Sequence, residues 1–191
     1  MSGWIYAVQL DIERWEWDTH WATDAVAADA MNKLIQIIRW FKNEAPQYTK
    51  VGYYAAGPNR QYWPAQDPVA SSPAFVKWQG SNDFLAPLIA EMGALYPSLY
   101  TFYNDRAGWV KYAKANIAEA KRIGGGKPIY PYIWPRFHPA GDMGQIYIDY
   151  EFWKLQLQTV KEAGADGVII WGGYKEQWTG DWPWWQATIA F

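Results

Sequence analysis

Trp4-Ile5-Tyr6-Ala7-Val8-Gln9-Leu10-Asp11-Ile12-Glu13-Arg14-Trp15 is a hydrophobic run that ends in two carboxylates one residue apart. Side chains alternate faces along a strand, so Asp11 and Glu13 are expected to point the same way, with Cα atoms about 7 Å apart. Two like charges this close resist simultaneous ionisation, and an acid that keeps its proton near neutral pH can give it to a leaving group. If the strand geometry persists to Trp15, its indole joins the same face and can shield the acid from water or stack on a ligand. A solvated strand end or a helix cap produces the same short pattern, so the rest of the chain has to decide between these readings.

Working outward, Thr23-Asp24 offers an N-cap, and Val26, Met31, Leu34, Ile35, Ile38 and Phe41 follow at helical spacing until Asn43 to Pro46. Tyr48 to Ala55 reads as a strand, and the proline-rich stretch from Ala56 to Pro73 as a long loop. A helix over Asp83 to Leu95, a strand over Ser98 to Tyr103 and a helix over Ala107 to Ile123 come next. Gly124-Gly125-Gly126 stops the last of these. No Lys-Ser or Lys-Thr follows those glycines, which excludes a phosphate-binding loop. Lys127 to Trp134 is a strand, Tyr150 to Ala163 a helix ending at Gly164, and Gly167 to Trp171 an apolar strand expected to be buried on both faces.

Strand and helix therefore alternate five times, which predicts an α/β fold with a parallel sheet, either an open sheet or a barrel. Most of the strands end near acidic or aromatic residues: Asp11 and Glu13, then Tyr100, Tyr132, Trp134 and Trp171. In a barrel the carboxyl ends of all strands share one face, and the aromatics would surround the acidic pair.

The 191 residues suit a single domain, 1–191, and the formal net charge of −2 excludes the basic surface that nucleic acid requires. There is no cysteine, which removes disulfides, thiol nucleophiles and thiolate metal sites. His20 and His138 lie far apart in sequence, so no metal site and no cofactor are expected. No apolar run is long enough to span a membrane, and a membrane partner is not expected. The compartment is left open. Aromatic residues make up 19% of the chain, with 15 Trp, several beside Pro or Gly in apparent loops. Such platforms suit the C–H faces of sugar rings, and dense core packing is the competing explanation.

Several segments together resemble the hyaluronidase family of glycoside hydrolases. Asp11-Ile12-Glu13-Arg14-Trp15 is similar to its Asp-x-Glu-x-Trp strand end, and Gly52-Tyr53-Tyr54 to its next strand. Tyr96-Pro97-Ser98-Leu99-Tyr100, Pro128-Ile129-Tyr130-Pro131-Tyr132 and Gly164-Ala165-Asp166-Gly167-Val168-Ile169-Ile170-Trp171-Gly172 match further family segments in order. The resemblance implies a TIM-type (β/α) barrel, here incomplete, with about five to six βα units and its first strands missing. It also implies retaining, substrate-assisted hydrolysis inside a polymer containing N-acetylhexosamine. Glu13 would then be the acid and base, Asp11 its orienting partner, and the acetamido oxygen of the substrate the nucleophile. Trp15, Tyr54, Tyr100, Tyr132, Trp134 and Trp171 would contact the polysaccharide, with Trp171 flooring a sugar subsite. A cell-wall muramidase and a non-catalytic carbohydrate-binding domain derived from a glycosidase are the alternatives.

Five parallel strands cannot close a barrel, so the strand carrying Asp11 and Glu13 is expected to have an open edge. The aromatic tail at 181–191 is expected to fold over it, or a second copy of the chain to pair across it as a homo-oligomer.

Overall fold

Five stretches of the chain pair side by side in chain order, each parallel to the one before. β1 (Ala7–Leu10) pairs with β2 (Lys50–Tyr53) in the register Gln9 to Gly52 and Leu10 to Tyr53. Bridges join Tyr54 to Tyr96, Leu95 to Ile129 and Ser98 to Tyr132, so residues 95–98 form the middle member. β3 (Tyr132–Ile133) then pairs with β4 (Ile169–Ile170). The computed structural model describes residues 7–47, 49–67, 72–172 and 178–191. Trp4 to Tyr6 and Tyr48, in expected strands, and positions 68–71 of the expected loop lie outside that set. The class is mixed α/β, and among the described residues the array does not close into a barrel.

Alternation along these stretches sorts the side chains onto two faces. Leu10, Ile12, Val51, Tyr53, Leu95 and Ile129 face a core under the helices, and Leu99, Ile133 and Ile170 continue it. On the other face Tyr54, Tyr96, Tyr100, Tyr130, Tyr132 and Trp134 pack with Ile169. One side of the sheet is thus sealed by aliphatic side chains and the other filled by phenols and an indole. Gly52 lets the Tyr96 ring cross β2. A Cβ there would lie 2.8 Å from that ring and collide with the Ala94 carbonyl.

The connecting helices follow local signals. α1 (Asp24–Glu44) starts where the Thr23 side chain accepts from the Val26 N–H and buries Ala27, Ala30, Met31, Leu34, Ile35 and Ile38. Val26 itself is exposed. Tyr53 donates its hydroxyl to the Leu34 carbonyl at 2.8 Å, tying β2 to this helix. α5 (Arg106–Gly124) is capped by Asp105 and stops at Gly125, whose φ of 58° suits glycine. α6 (Tyr150–Glu162) is capped by Asp149.

Four expectations need correction. The stretch 56–73 contains α2 (Tyr62–Ala65) and ends where α3 (Pro73–Phe84) begins, with Ser72 as its cap. The helix expected over Asp83 to Leu95 is the end of α3 followed by α4 (Ala86–Glu91), and Leu95 belongs to the sheet. α3 escapes an apolar-periodicity search because its buried face carries Trp78, Ser81 and Asn82, two of them polar. β4 is only half-buried, because among the described residues it pairs on one side alone.

The C-terminal tail is the fourth. It forms α7 (Pro183–Ile189), which packs on α6 and not over β1. Trp184 and Ala187 enter the core beside Trp153, and the Trp153 indole N–H donates to Thr188 Oγ1 at 2.8 Å. An amphipathic turn of aromatics finds its apolar partner on the neighbouring helix, so it is not free to cover a distant sheet edge.

Candidate active site

The acidic pair lies just past the end of β1. The ladder stops at Leu10 and a turn begins at Glu13, so the strand is shorter than expected. Alternation nevertheless carries through: Gln9, Asp11 and Glu13 line one cleft, while Leu10 and Ile12 pack toward α1. The turn at Glu13 and Arg14 then breaks the pattern. Trp15 leaves the face of the two acids, packs partly against the core under α1, and has Lys33 Nζ 5.5 Å from its ring centre.

Two adjoining depressions meet at Glu13, Tyr54 and Arg60. The first, of about 280 Å³, is lined by Gln9, Asp11, Tyr100, Tyr132, Trp134, His138 and Trp171 together with those three. The second, of about 170 Å³, adds Trp15, Glu16, Trp17, Asp18 and Trp21. Seven of the eight expected site residues therefore surround the first cleft, and Trp15 lines the second. Trp171 stands 47% exposed at the rim, whereas Tyr100 and Tyr132 are each 7% exposed in the wall.

The phenols are fixed by one another. The Tyr54 ring lies 5.0 Å from Tyr132 and 5.9 Å from Tyr100, and Tyr100 lies 5.6 Å from Trp134. Tyr54 OH and Ser98 Oγ are 3.0 Å apart, and Tyr132 OH donates to Gln9 Oε1 at 2.8 Å. Burial, followed by the neighbouring Asp11 and Tyr54, pushes the Tyr132 phenol up to about 12. Burial and then Tyr54 also raise Tyr100, with smaller contributions from Tyr132 and Asp11. Both hydroxyls stay protonated across any working pH, so the wall beside Asp11 adds no further charge, and the Tyr132 proton is already given to Gln9.

Three residues of the cleft carry no signal that singled them out in sequence. Gln9 sits inside an ordinary strand pattern and becomes visible only through its register and its bond to Tyr132. His138 packs 4.2 Å from the Phe102 ring and accepts the Ala140 N–H on Nδ1 at 3.2 Å, which leaves its proton on Nε2. Burial first, and then Arg60, lower its pKa, so the ring is neutral at pH 7. Arg60 follows Asn59 in the proline-rich loop, where no pattern marks it.

A buried polar network holds that loop. The Asn59 N–H donates to Asn82 Oδ1 at 2.8 Å, its amide to Ser81 Oγ at 2.7 Å, and the Trp78 indole N–H to the Asn59 carbonyl at 2.9 Å. Ser81 in turn donates to Asp18 Oδ1 at 2.8 Å, and Gln61 to Asp18 Oδ2 at 3.0 Å. Asp18 therefore has both carboxylate oxygens engaged in holding the loop. Among the described residues no group of three His, Asp or Glu is placed to hold a metal ion, and no helix is long and apolar enough to cross a membrane.

The chain resembles hyaluronidases in both sequence and fold. Over 97 residues, 48% of the chain, it is 31% identical to the hyaluronidase of Apis mellifera, of which that segment covers 25%. The crystal structure of bee venom hyaluronidase superposes with a TM-score of 0.67 and 19% identity, over 87% of this chain and 63% of that one. The chain thus spans less than two thirds of either protein. No protein-family model matches it.

Proposed function

We propose that the protein is a retaining glycoside hydrolase that cleaves inside an N-acetylhexosamine-containing, hyaluronan-like polysaccharide, and that its parallel array is an arc of a (β/α) barrel. The observation that carries this reading is the convergence of Asp11 and Glu13 on one cleft walled by Tyr54, Tyr100, Tyr132, Trp134 and Trp171. An acid pair at the carboxyl end of a parallel strand, facing aromatic platforms, is the arrangement glycosidic cleavage needs. The likeness to hyaluronidases supports the same class.

In this reading Glu13 protonates the glycosidic oxygen as the bond from that oxygen to C1 breaks. The acetamido carbonyl oxygen of the same sugar attacks C1 from the opposite face and forms a cyclic oxazolinium. Asp11 accepts from the acetamido N–H and stabilises the positive charge that develops on the ring. The neutral phenols of Tyr100 and Tyr132 wall the cleft beside it and add no negative charge. Water then opens the ring at C1 and gives its proton to the Glu13 carboxylate, which restores the acid. Two inversions at C1 give net retention. Trp171 stacks on the sugar that holds the acetamido group, and Trp134 and Tyr54 line its flanks.

Reducing-end release from hyaluronan, chondroitin, chitin oligomers and peptidoglycan tests the class. Cleavage of a hexosamine polymer with the β-anomer appearing first in proton NMR supports the reading. First appearance of the inverted anomer would replace the acetamido nucleophile with a directly activated water. Cleavage confined to peptidoglycan would favour a muramidase, and binding without any cleavage would favour a carbohydrate-binding domain.

A further inference from the structure

We infer that Arg60 reads the charge of the glycan: its guanidinium binds the uronate carboxylate of the sugar next to the cleaved bond. This assignment rests on the glycosidase reading above and adds to it the residue that reads the charge of the polymer.

Four observations carry it. Among the described residues Arg60 is the one Lys or Arg lining either depression, and it lines both, together with Glu13 and Tyr54. Four carboxylates line the same surface, yet the Arg60 side chain makes no ion pair with any of them among the described residues. Its guanidinium carbon lies 5.1 Å from the centre of the Phe102 ring, a contact that uses none of its N–H groups. The backbone before it is clamped, because Asn59 is 1% exposed and bonded to Asn82, Ser81 and Trp78.

Chemistry supplies the rest. A planar guanidinium accommodates a carboxylate through two parallel N–H···O bonds, a geometry no hydroxyl or amide of an uncharged sugar reproduces. Arg60 and Glu13 line both depressions together, so if Glu13 stands at the bond being cleaved, Arg60 is within reach of the sugar that adjoins it. In an alternating polymer that sugar is the uronate. A cation is also needed there: the chain carries a formal charge of −2, and Asp11, Glu13 and Glu16 would repel a polyanion without one.

The test compares kcat/KM on hyaluronan oligosaccharides with kcat/KM on the same oligosaccharides after reduction of each carboxyl to an alcohol. Wild type, Arg60→Ala and Arg60→Lys are measured at low and at physiological salt. The assignment predicts that wild type prefers the native oligosaccharide at least tenfold, that Arg60→Ala brings this ratio to within twofold of one, and that Arg60→Lys falls between. It is overturned if Arg60→Ala keeps the wild-type ratio, if it lowers both rates equally, or if wild type shows no preference for the carboxylate. Cleavage of chitin oligomers by a wild type that ignores hyaluronan would overturn the Arg60 assignment and leave the glycosidase reading standing. Absence of cleavage on every glycan would overturn both. Melting temperatures of the variants, expected to match wild type because Arg60 is exposed, separate recognition from misfolding.

Discussion

Tyr132 on β3 donates its hydroxyl to the Gln9 carboxamide on β1 at 2.8 Å, although β2 and the stretch 95–98 lie between their strands. On a flat sheet three strand spacings separate the two backbones by about 14 Å, and their side chains would stand parallel and not meet. The bond therefore reports a strongly curved array whose concave face holds the acidic pair. That curvature brings residues 123 positions apart in sequence to one wall of one cleft.

The Gln9–Tyr132 pair can be tested as a unit. Tyr132→Phe leaves the Gln9 oxygen without its donor, and Gln9 Nε2 is already buried without a partner. The expected cost is about 1–3 kcal/mol in urea denaturation, and adding Gln9→Leu should recover most of it, since replacing both partners with apolar groups is nearly neutral. If the two single costs simply add in the double variant, the bond does not hold the array together.

The aromatic tail is expected to be a core element. Trp184 is 7% exposed and packs on Trp153 with ring centroids 5.9 Å apart. Trp184→Ala should lower stability by about 3–5 kcal/mol, as large-to-small changes at buried aromatics do. A loss under about 1 kcal/mol would mean that α7 is only loosely attached to α6.

His138 predicts a pH dependence with a definite sign. Burial and Arg60 hold its folded-state pKa below the ordinary value of 6.5, so the unfolded chain binds a proton that the folded chain refuses. Its contribution is full above pH 6.5 and is lost as the pH falls from there through the lowered folded value. Melting temperatures measured from pH 7 to pH 5 should therefore decline, and His138→Gln should flatten part of that slope. An identical slope in the variant would mean that His138 titrates as freely in the fold as in the unfolded chain.

What was readable in the sequence follows from which interactions are local. The period of two in Gln9-Leu10-Asp11-Ile12-Glu13 and the cap at Thr23 are properties of neighbouring residues, and both appear in the structure. The same holds for the alternation of strands and helices that yields five parallel members. The alternation stops short of Trp15 because a turn begins at Glu13 and Arg14, and its indole lines the second depression instead of the first. α3 was hidden because its inner face pays for polar side chains with long-range hydrogen bonds, Asn82 to Asn59 and Glu119, Ser81 to Asp18. Such bonds span tens of residues and leave no periodic trace. Arg60, Gln9 and His138 were invisible for the same reason, since their roles depend on which distant strands and loops the curvature brings beside Glu13.

The role of Glu13 is the centre of the account, and its amide isostere tests it most directly. Glu13→Gln keeps the size and hydrogen-bonding reach of the side chain but has no proton to give, and general acid catalysis contributes about 10² to 10⁴ in rate. Reducing-end release by wild type and Glu13→Gln, on the polysaccharide wild type cleaves best, should show a loss of at least about 10² with oligosaccharide affinity kept within a few-fold. A variant that retains more than about a tenth of the wild-type rate would contradict the assignment of Glu13 as the acid.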